Sequence, residues 1–187
     1  LSSDVSPDIG EFERASTTVA NAYVRPTMRR YLDDLASKLR DVGVSASEPL
    51  IMTSDGGTIP CATAAKYPVR LIESGPAGGA MAAAFLGGLS NHSDLIAFDM
   101  GGTTAKICII EDGTPSRVGT FEVGHVYRFA RGSGLPIRAP VLEMIEIGAG
   151  GGSVAQVSAL GLLKVGPESS GAEPGPACYR RGGNAAT

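Results

Sequence analysis

The chain has 187 residues, a formal charge of −3 and a pI near 5.4, with 43% hydrophobic and 19% charged residues. That suits one domain with a real core, or a slice of a larger protein, and excludes a general nucleic-acid binder, which needs clustered Lys and Arg. Aromatic residues at 5%, with no Trp, exclude a base-stacking platform.

The opening residues, 1–10, hold Ser, Asp and Pro and read as a lead-in. From Glu11 the pattern is helical: Phe12, Ala15, Val19 and Tyr23 recur at three and four, and Met28, Tyr31, Leu32, Leu35 and Leu39 continue one face. Pro26 either begins a second helix or kinks one long one. Gly43 is the expected stop. Residues 50–53 predict a short buried strand ended by the turn Asp55-Gly56-Gly57. Residues 62–67 form at most a short helix, and residues 69–72 another strand. Gly75-Pro76 opens a helix of small residues over 77–86, with an Ala/Gly surface suited to close packing.

Residues 95–98 and 105–110 predict strands, followed by the hairpin turn Glu111-Asp112-Gly113. A third strand returns over 120–123. Residues 141–147 predict a strand running into Gly148-Ala149-Gly150-Gly151-Gly152-Ser153, and 154–157 with 162–165 a hairpin around Gly161. Helices alternate with strands early and antiparallel hairpins follow, which predicts an α/β fold with a mixed sheet.

Glycine is the outlier: 26 residues, roughly twice the usual share of about 7%, clustered rather than periodic. Cys61, Cys108 and Cys178 have no metal-type spacing and read as reduced thiols of a cytoplasmic protein. His92 and His125 read as surface or loop residues, with no zinc-type cluster. No apolar run approaches the ~20 residues of a membrane span. The first residue is not Met and residues 168–187 are Gly/Pro-rich, so both ends read as cut.

The motif that carries chemistry is Asp99-Met100-Gly101-Gly102-Thr103-Thr104, a tight turn between two apolar strands. Two glycines let backbone N–H groups converge on an anion, and two Thr hydroxyls add donors. Asp99 at a strand end suits Mg²⁺ (or Mn²⁺) held through water, or orientation of an attacking water. A plain hairpin whose glycines serve only the turn is the blander alternative. No Walker loop and no dinucleotide fingerprint is present. Gly150, Gly151, Gly152 and Ser153 form a second candidate site, where bare backbone suits a nucleotide or substrate and Glu143 or Glu146 lies nearby in sequence; a flexible strand crossing is the equal alternative. Ser74-Gly75-Pro76-Ala77-Gly78-Gly79 reads as close helix packing at a hinge. Cys178 lacks a visible activator and reads as a packed structural thiol.

The hairpin resembles the phosphate hairpin of the actin-like and sugar-kinase ATPases (the ribonuclease H-like, or ASKHA, fold), which carry two such hairpins, one per lobe. Glu13-Arg14-Ala15-Ser16-Thr17-Thr18-Val19-Ala20-Asn21-Ala22-Tyr23-Val24, Ser54-Asp55-Gly56-Gly57, Ser74 to Gly79, the hairpin, the 147–153 loop and Gly171-Ala172-Glu173-Pro174-Gly175-Pro176-Ala177-Cys178-Tyr179 occur in that order. Together they resemble the hydantoinase A/oxoprolinase family of N-methylhydantoinases, 5-oxoprolinases and related ketone carboxylase subunits.

The resemblance implies a central segment, with residues 1–90 closing a first lobe and 91–187 starting a second. It implies ATP and Mg²⁺ as cofactors, Asp99 as catalytic and metal-holding residue, and Gly101, Gly102, Thr103, Thr104 and Gly150 to Ser153 around the nucleotide. The implied reaction is ATP-dependent cleavage of a cyclic amide through phosphorylation of its oxygen, with ketone carboxylation or a non-catalytic actin-like assembly role as alternatives. A hydantoinase B-type subunit is the implied partner. With the first hairpin outside it, this stretch alone is expected not to turn over ATP. The family pattern has Asp where Lys106 stands and His where Glu146 stands, which leaves the substrate subtype open.

Overall fold

The computed structural model describes residues 1–44, 48–124, 126 and 132–187. In chain order they form α1 (Ser2–Val5), α2 (Glu11–Asp41), β1 (Leu50–Met52), β2 (Thr58–Pro60), α3 (Cys61–Lys66), a 3₁₀ turn (Pro68–Leu71) and α4 (Ser74–Leu89). There follow β3 (Leu95–Met100), β4 (Ala105–Glu111), β5 (Thr114–Pro115), β6 (Arg117–Val118), β7 (Phe121–Val123) and β8 (Leu135–Ile137). The last are β9 (Val141–Leu142), β10 (Ile145–Ile147), β11 (Ser153–Val157), β12 (Leu163–Ser169) and a 3₁₀ turn (Ala177–Tyr179). Among the described residues every strand pairing is antiparallel, so the parallel part of the expected mixed sheet is not among them.

Two compact units result: Leu1–Ala82 with Ser116–Glu143, and Ala83–Pro115 with Met144–Thr187. In the first, α2 is a single helix with Pro26 inside it, and it ends at Asp41, followed by Gly43 at φ +86°. In its first half the buried face is the reverse of the expected one, whereas in its second half Leu32 is buried and Met28, Leu35 and Leu39 are half-buried, on the expected face. Phe12, Val19 and Tyr23 are 68%, 68% and 84% exposed, whereas Thr17 and Asn21 are buried. The polar pair explains the inversion. The Thr17 hydroxyl donates to the Glu13 carbonyl at 2.7 Å and accepts the Arg138 N–H at 2.8 Å. Asn21 donates to the Lys66 carbonyl at 3.3 Å and accepts the Val69 N–H at 3.2 Å. Two side chains one helical turn apart thus satisfy backbone groups of other segments, which must be bonded once buried.

Val69, Ile137 and Ala139 form the core beneath this helix, with Val5, Ala20, Ile72, Phe121 and Val123 around them. The expected strand over 69–72 is instead the 3₁₀ turn: Pro68 removes one donor, and the Val69 N–H goes to Asn21 rather than to a ladder. The expected return strand over 120–123 exists as β7, but it pairs with β8; β5 is the strand that returns on β4. The expected 141–147 strand is broken in two: β9 pairs with β6 and β10 with β4.

In the second unit the sheet order is β10-β4-β3, with β5 on β4. Asp112 and Gly113, at φ +50° and +72°, make the expected tight turn. β11 and β12 form the expected hairpin around Gly161. The unit boundary falls within α4, which begins at Ser74 rather than at residue 77. Ala77 and Ala80 are buried on it; Gly75 and Gly79 have open space where a Cβ would stand, but a Cβ at Gly87 would stand 2.8 Å from the His92 carbonyl oxygen.

Candidate functional site

β3 and β4 meet in strict register, Leu95 opposite Ile110 through to Met100 opposite Ala105, leaving Gly101 to Thr104 as the connecting loop. The Gly101 N–H closes it on the Thr104 carbonyl at 2.9 Å. The glycine-rich loop after β10 lies directly against this turn. The Gly151 N–H donates to the Gly101 carbonyl at 2.9 Å and the Gly152 N–H to the Gly102 carbonyl at 2.8 Å. The Gly150 N–H donates to the Ser153 hydroxyl at 2.9 Å, and the Ser153 N–H to the Gly150 carbonyl at 2.9 Å. Ser170 holds the other side, its N–H at 2.8 Å from the Gly152 carbonyl and its hydroxyl donating there at 3.1 Å.

The structure therefore brings all the expected site residues together: Asp99, Gly101, Gly102, Thr103 and Thr104 on the hairpin, and Gly150, Gly151, Gly152 and Ser153 against it. Their roles in the geometry differ. The N–H groups of residues 150–153 are engaged within the protein. Among the described residues the N–H groups of Gly102, Thr103 and Thr104 make no hydrogen bond, and residues 101–103 are exposed. Three successive unengaged donors on an exposed turn are the backbone pattern from which anion-binding nests are built.

Asp99 is exposed, next to last in β3 and directly opposite Lys106. Lys106 is in turn directly opposite Glu146 on β10, and its ammonium lies 3.4 Å from the Glu146 carboxylate. Directly opposed residues share a sheet face, so Asp99, Lys106 and Glu146 form one charged row. The other face presents Ile96, Phe98, Met100, Ile145 and Ile147, all exposed. Neither the row nor the Lys106–Glu146 pair is visible in linear sequence; the one signal was that the two departures from the family pattern are of complementary charge.

The remaining candidates lie elsewhere. Glu143 belongs to the first unit, where its N–H donates to the Ser116 carbonyl at 2.8 Å. Asp55 caps its own turn, accepting the Thr53 hydroxyl at 2.5 Å and the Gly57 N–H at 3.2 Å. Burial works against its charged form, but those two donors, its own backbone and the charge of Arg117 outweigh it and hold the carboxyl below its ordinary range. Burial, then Glu48 and Asp33, push the Cys61 thiol up. Cys178 is exposed rather than packed, because the Pro176 to Tyr179 turn buries Pro176 and leaves the thiol outside. His92 is exposed after α4, and His125 lies outside the described residues. Among the described residues no group of three His, Cys, Asp or Glu side chains is placed to hold a metal, and no helix is long and apolar enough to cross a membrane.

The fold and the site define an α/β protein of antiparallel sheets, organised around a glycine hairpin backed by a second glycine loop. The chain belongs to the hydantoinase/oxoprolinase family, which it matches over residues 14–187. It is 37% identical to the 5-oxoprolinase of Saccharomyces cerevisiae, over 98% of this chain and 13% of that protein. It is 35% identical to caprolactamase subunit alpha of Pseudomonas jessenii, over 96% of this chain and 24% of that one. A nucleotide-free structure of acetone carboxylase, described as an ATP-dependent enzyme, superposes with a TM-score of 0.74 at 28% identity, covering all of this chain and 25% of that one. The chain spans a quarter or less of each of these proteins.

Proposed function

We propose that this chain carries a phosphate-binding loop of an actin-like ATPase fold, in an enzyme that uses ATP to open a cyclic amide. One observation carries the reading: the hairpin turn is braced from one side by residues 150–152 while the N–H groups of Gly102, Thr103 and Thr104 stay unengaged. The relatives named 5-oxoprolinase and caprolactamase support the amide. Direct phosphate contact falls to Gly102, Thr103 and Thr104, and residues 150–153 act from behind.

A single exposed carboxylate fits Mg²⁺ or Mn²⁺, which takes few protein ligands and completes its shell with water and phosphate oxygens. Asp99 would hold it, and the ion would supply charge neutralisation at the transferring phosphoryl group. The γ-phosphoryl would pass to the amide oxygen with ADP leaving; one water would add to the activated carbon and the ring C–N bond open, the nitrogen taking a proton, to leave an acyl phosphate, which a second water would hydrolyse to carboxylate and phosphate. The chain's own contribution is to orient phosphates on fixed N–H dipoles. Further polypeptide and a B-type partner subunit complete the enzyme, consistent with relatives named as subunits.

The likeness to acetone carboxylase supports a second reading, in which the phosphorylated oxygen belongs to a ketone awaiting carboxylation. ADP release by the complete protein separates the two. Stimulation by 5-oxoproline or caprolactam, with ring opening, is the expected result. Stimulation only by acetone with bicarbonate establishes the second reading, and none by any of the three overturns both. Asp99→Asn should remove the stimulated activity and leave the fold intact; wild-type turnover in that variant would refute the role of Asp99.

A further inference from the structure

β10 is a three-residue edge strand, and its apolar side chains Ile145 and Ile147 are exposed, so burial does little to hold it. Yet the strand delivers the glycine loop: Gly151 and Gly152, close behind Ile147 in the chain, donate to the Gly101 and Gly102 carbonyls of the hairpin. The side chain that does engage is Glu146, 54% exposed, on Lys106, 14% exposed. This pair sits two residues ahead of Gly148 and two residues beyond Thr104, at the root of both loops.

We infer that the Lys106–Glu146 pair is a positioning element of the phosphate loop, fixing β10 on β4 so that residues 150–152 meet the hairpin and the Gly102, Thr103 and Thr104 N–H groups face outward. The inference rests on the phosphate reading above. The two residues are not equivalent. Without Glu146, Asp99 and Lys106 remain a neutral neighbouring pair. Without Lys106, two carboxylates flank a loop meant for an anion, and their mutual repulsion and repulsion of phosphate add to the lost tether.

The test uses the complete protein with Lys106→Met, Glu146→Gln, the double variant and the conservative Lys106→Arg. Two readouts are taken: amide hydrogen exchange at Gly151 and Gly152, and calorimetric binding of a non-hydrolysable ATP analogue with Mg²⁺. Each single variant should speed exchange at those amides about fivefold, the scale of one partly exposed ion pair, with β11 and β12 unchanged. Affinity should fall in both, further in Lys106→Met, and the double variant should be no worse than Lys106→Met alone. Lys106→Arg should behave as wild type. Additive losses, or an unaffected Glu146→Gln protein, overturn the inference. Faster exchange at Gly151 and Gly152 with unchanged affinity keeps the pair as anchor of the loop and refutes the phosphate reading instead.

Discussion

The two glycine-rich segments of the second unit are alike in sequence and opposite in cause. A Cβ at Gly150 would stand 2.7 Å from backbone atoms of Gly101, Gly102 and Thr103, and one at Gly152 would stand 2.9 Å from the Gly102 carbonyl oxygen. Those glycines are required by the fold, since backbone cannot yield as a flexible side chain can. On the hairpin, Gly101 has only an ordinary neighbour at 3.7 Å and Gly102 has none within 4 Å, and neither adopts a left-handed φ. Among the described residues nothing demands glycine at Gly102. The open space in front of it is where an outside group would come close to bare backbone. Glycine enrichment alone therefore does not mark a ligand; the glycine that its own fold leaves unexplained is the informative one.

Gly150→Ala should have the largest effect, forcing loop and hairpin apart. Nucleotide affinity is expected to be lost and unfolding to cost about 2–3 kcal/mol less, as for overpacking of a close contact. Calorimetric titration and denaturant unfolding measure both, and an alanine variant with native affinity would break the comparison at its stronger end. Gly102→Ala sharpens the other end: stability within ~0.5 kcal/mol of wild type, with clearly weakened binding of the analogue. Unchanged binding in that variant would return the hairpin to an ordinary turn.

Asn21→Ala provides the contrast in the first unit. It leaves the buried Val69 N–H without an acceptor, so a loss of about 1–3 kcal/mol is expected in chemical unfolding, with nucleotide affinity untouched. The smallest effect belongs to Asp55. Its depressed pKa means that its contribution is complete above the ordinary carboxylate range and disappears as pH falls through the lower folded value. Asp55→Asn should flatten the acid limb of a stability–pH curve below about pH 4 and change little at neutrality; an unaltered acid limb would contradict that.

Short-range chemistry was legible in the sequence. The Asp112-Gly113 turn, the hairpin around Gly161 and the paired strands about Gly101-Gly102 depend on neighbours a few residues apart. The second half of the α2 face was legible in Leu32, Leu35 and Leu39; the first half was not, because apolar periodicity cannot register Thr17 and Asn21, buried for the backbone groups they satisfy. The 69–72 segment has strand-forming composition, yet Pro68 and Asn21 redirect its donors. The candidate site was found as two separate loops. Their contact, and the Asp99–Lys106–Glu146 row beneath it, depend on β10 returning to β4, and strand order is a long-range property that composition does not encode.

The docking of the glycine loop on the hairpin also sets an order of events. The hairpin can close locally, but its brace arrives from residues about fifty positions later, across a large loop-closure entropy. The braced hairpin should therefore mature late in folding, after β3 and β4 have paired. Pulse-labelled hydrogen exchange should show the Gly151 and Gly152 amides protected after those of β4; simultaneous protection would mean that the brace and the hairpin fold as one step. A nucleotide that binds only the braced loop cannot template the early chain, and its stabilising effect is confined to the finished unit.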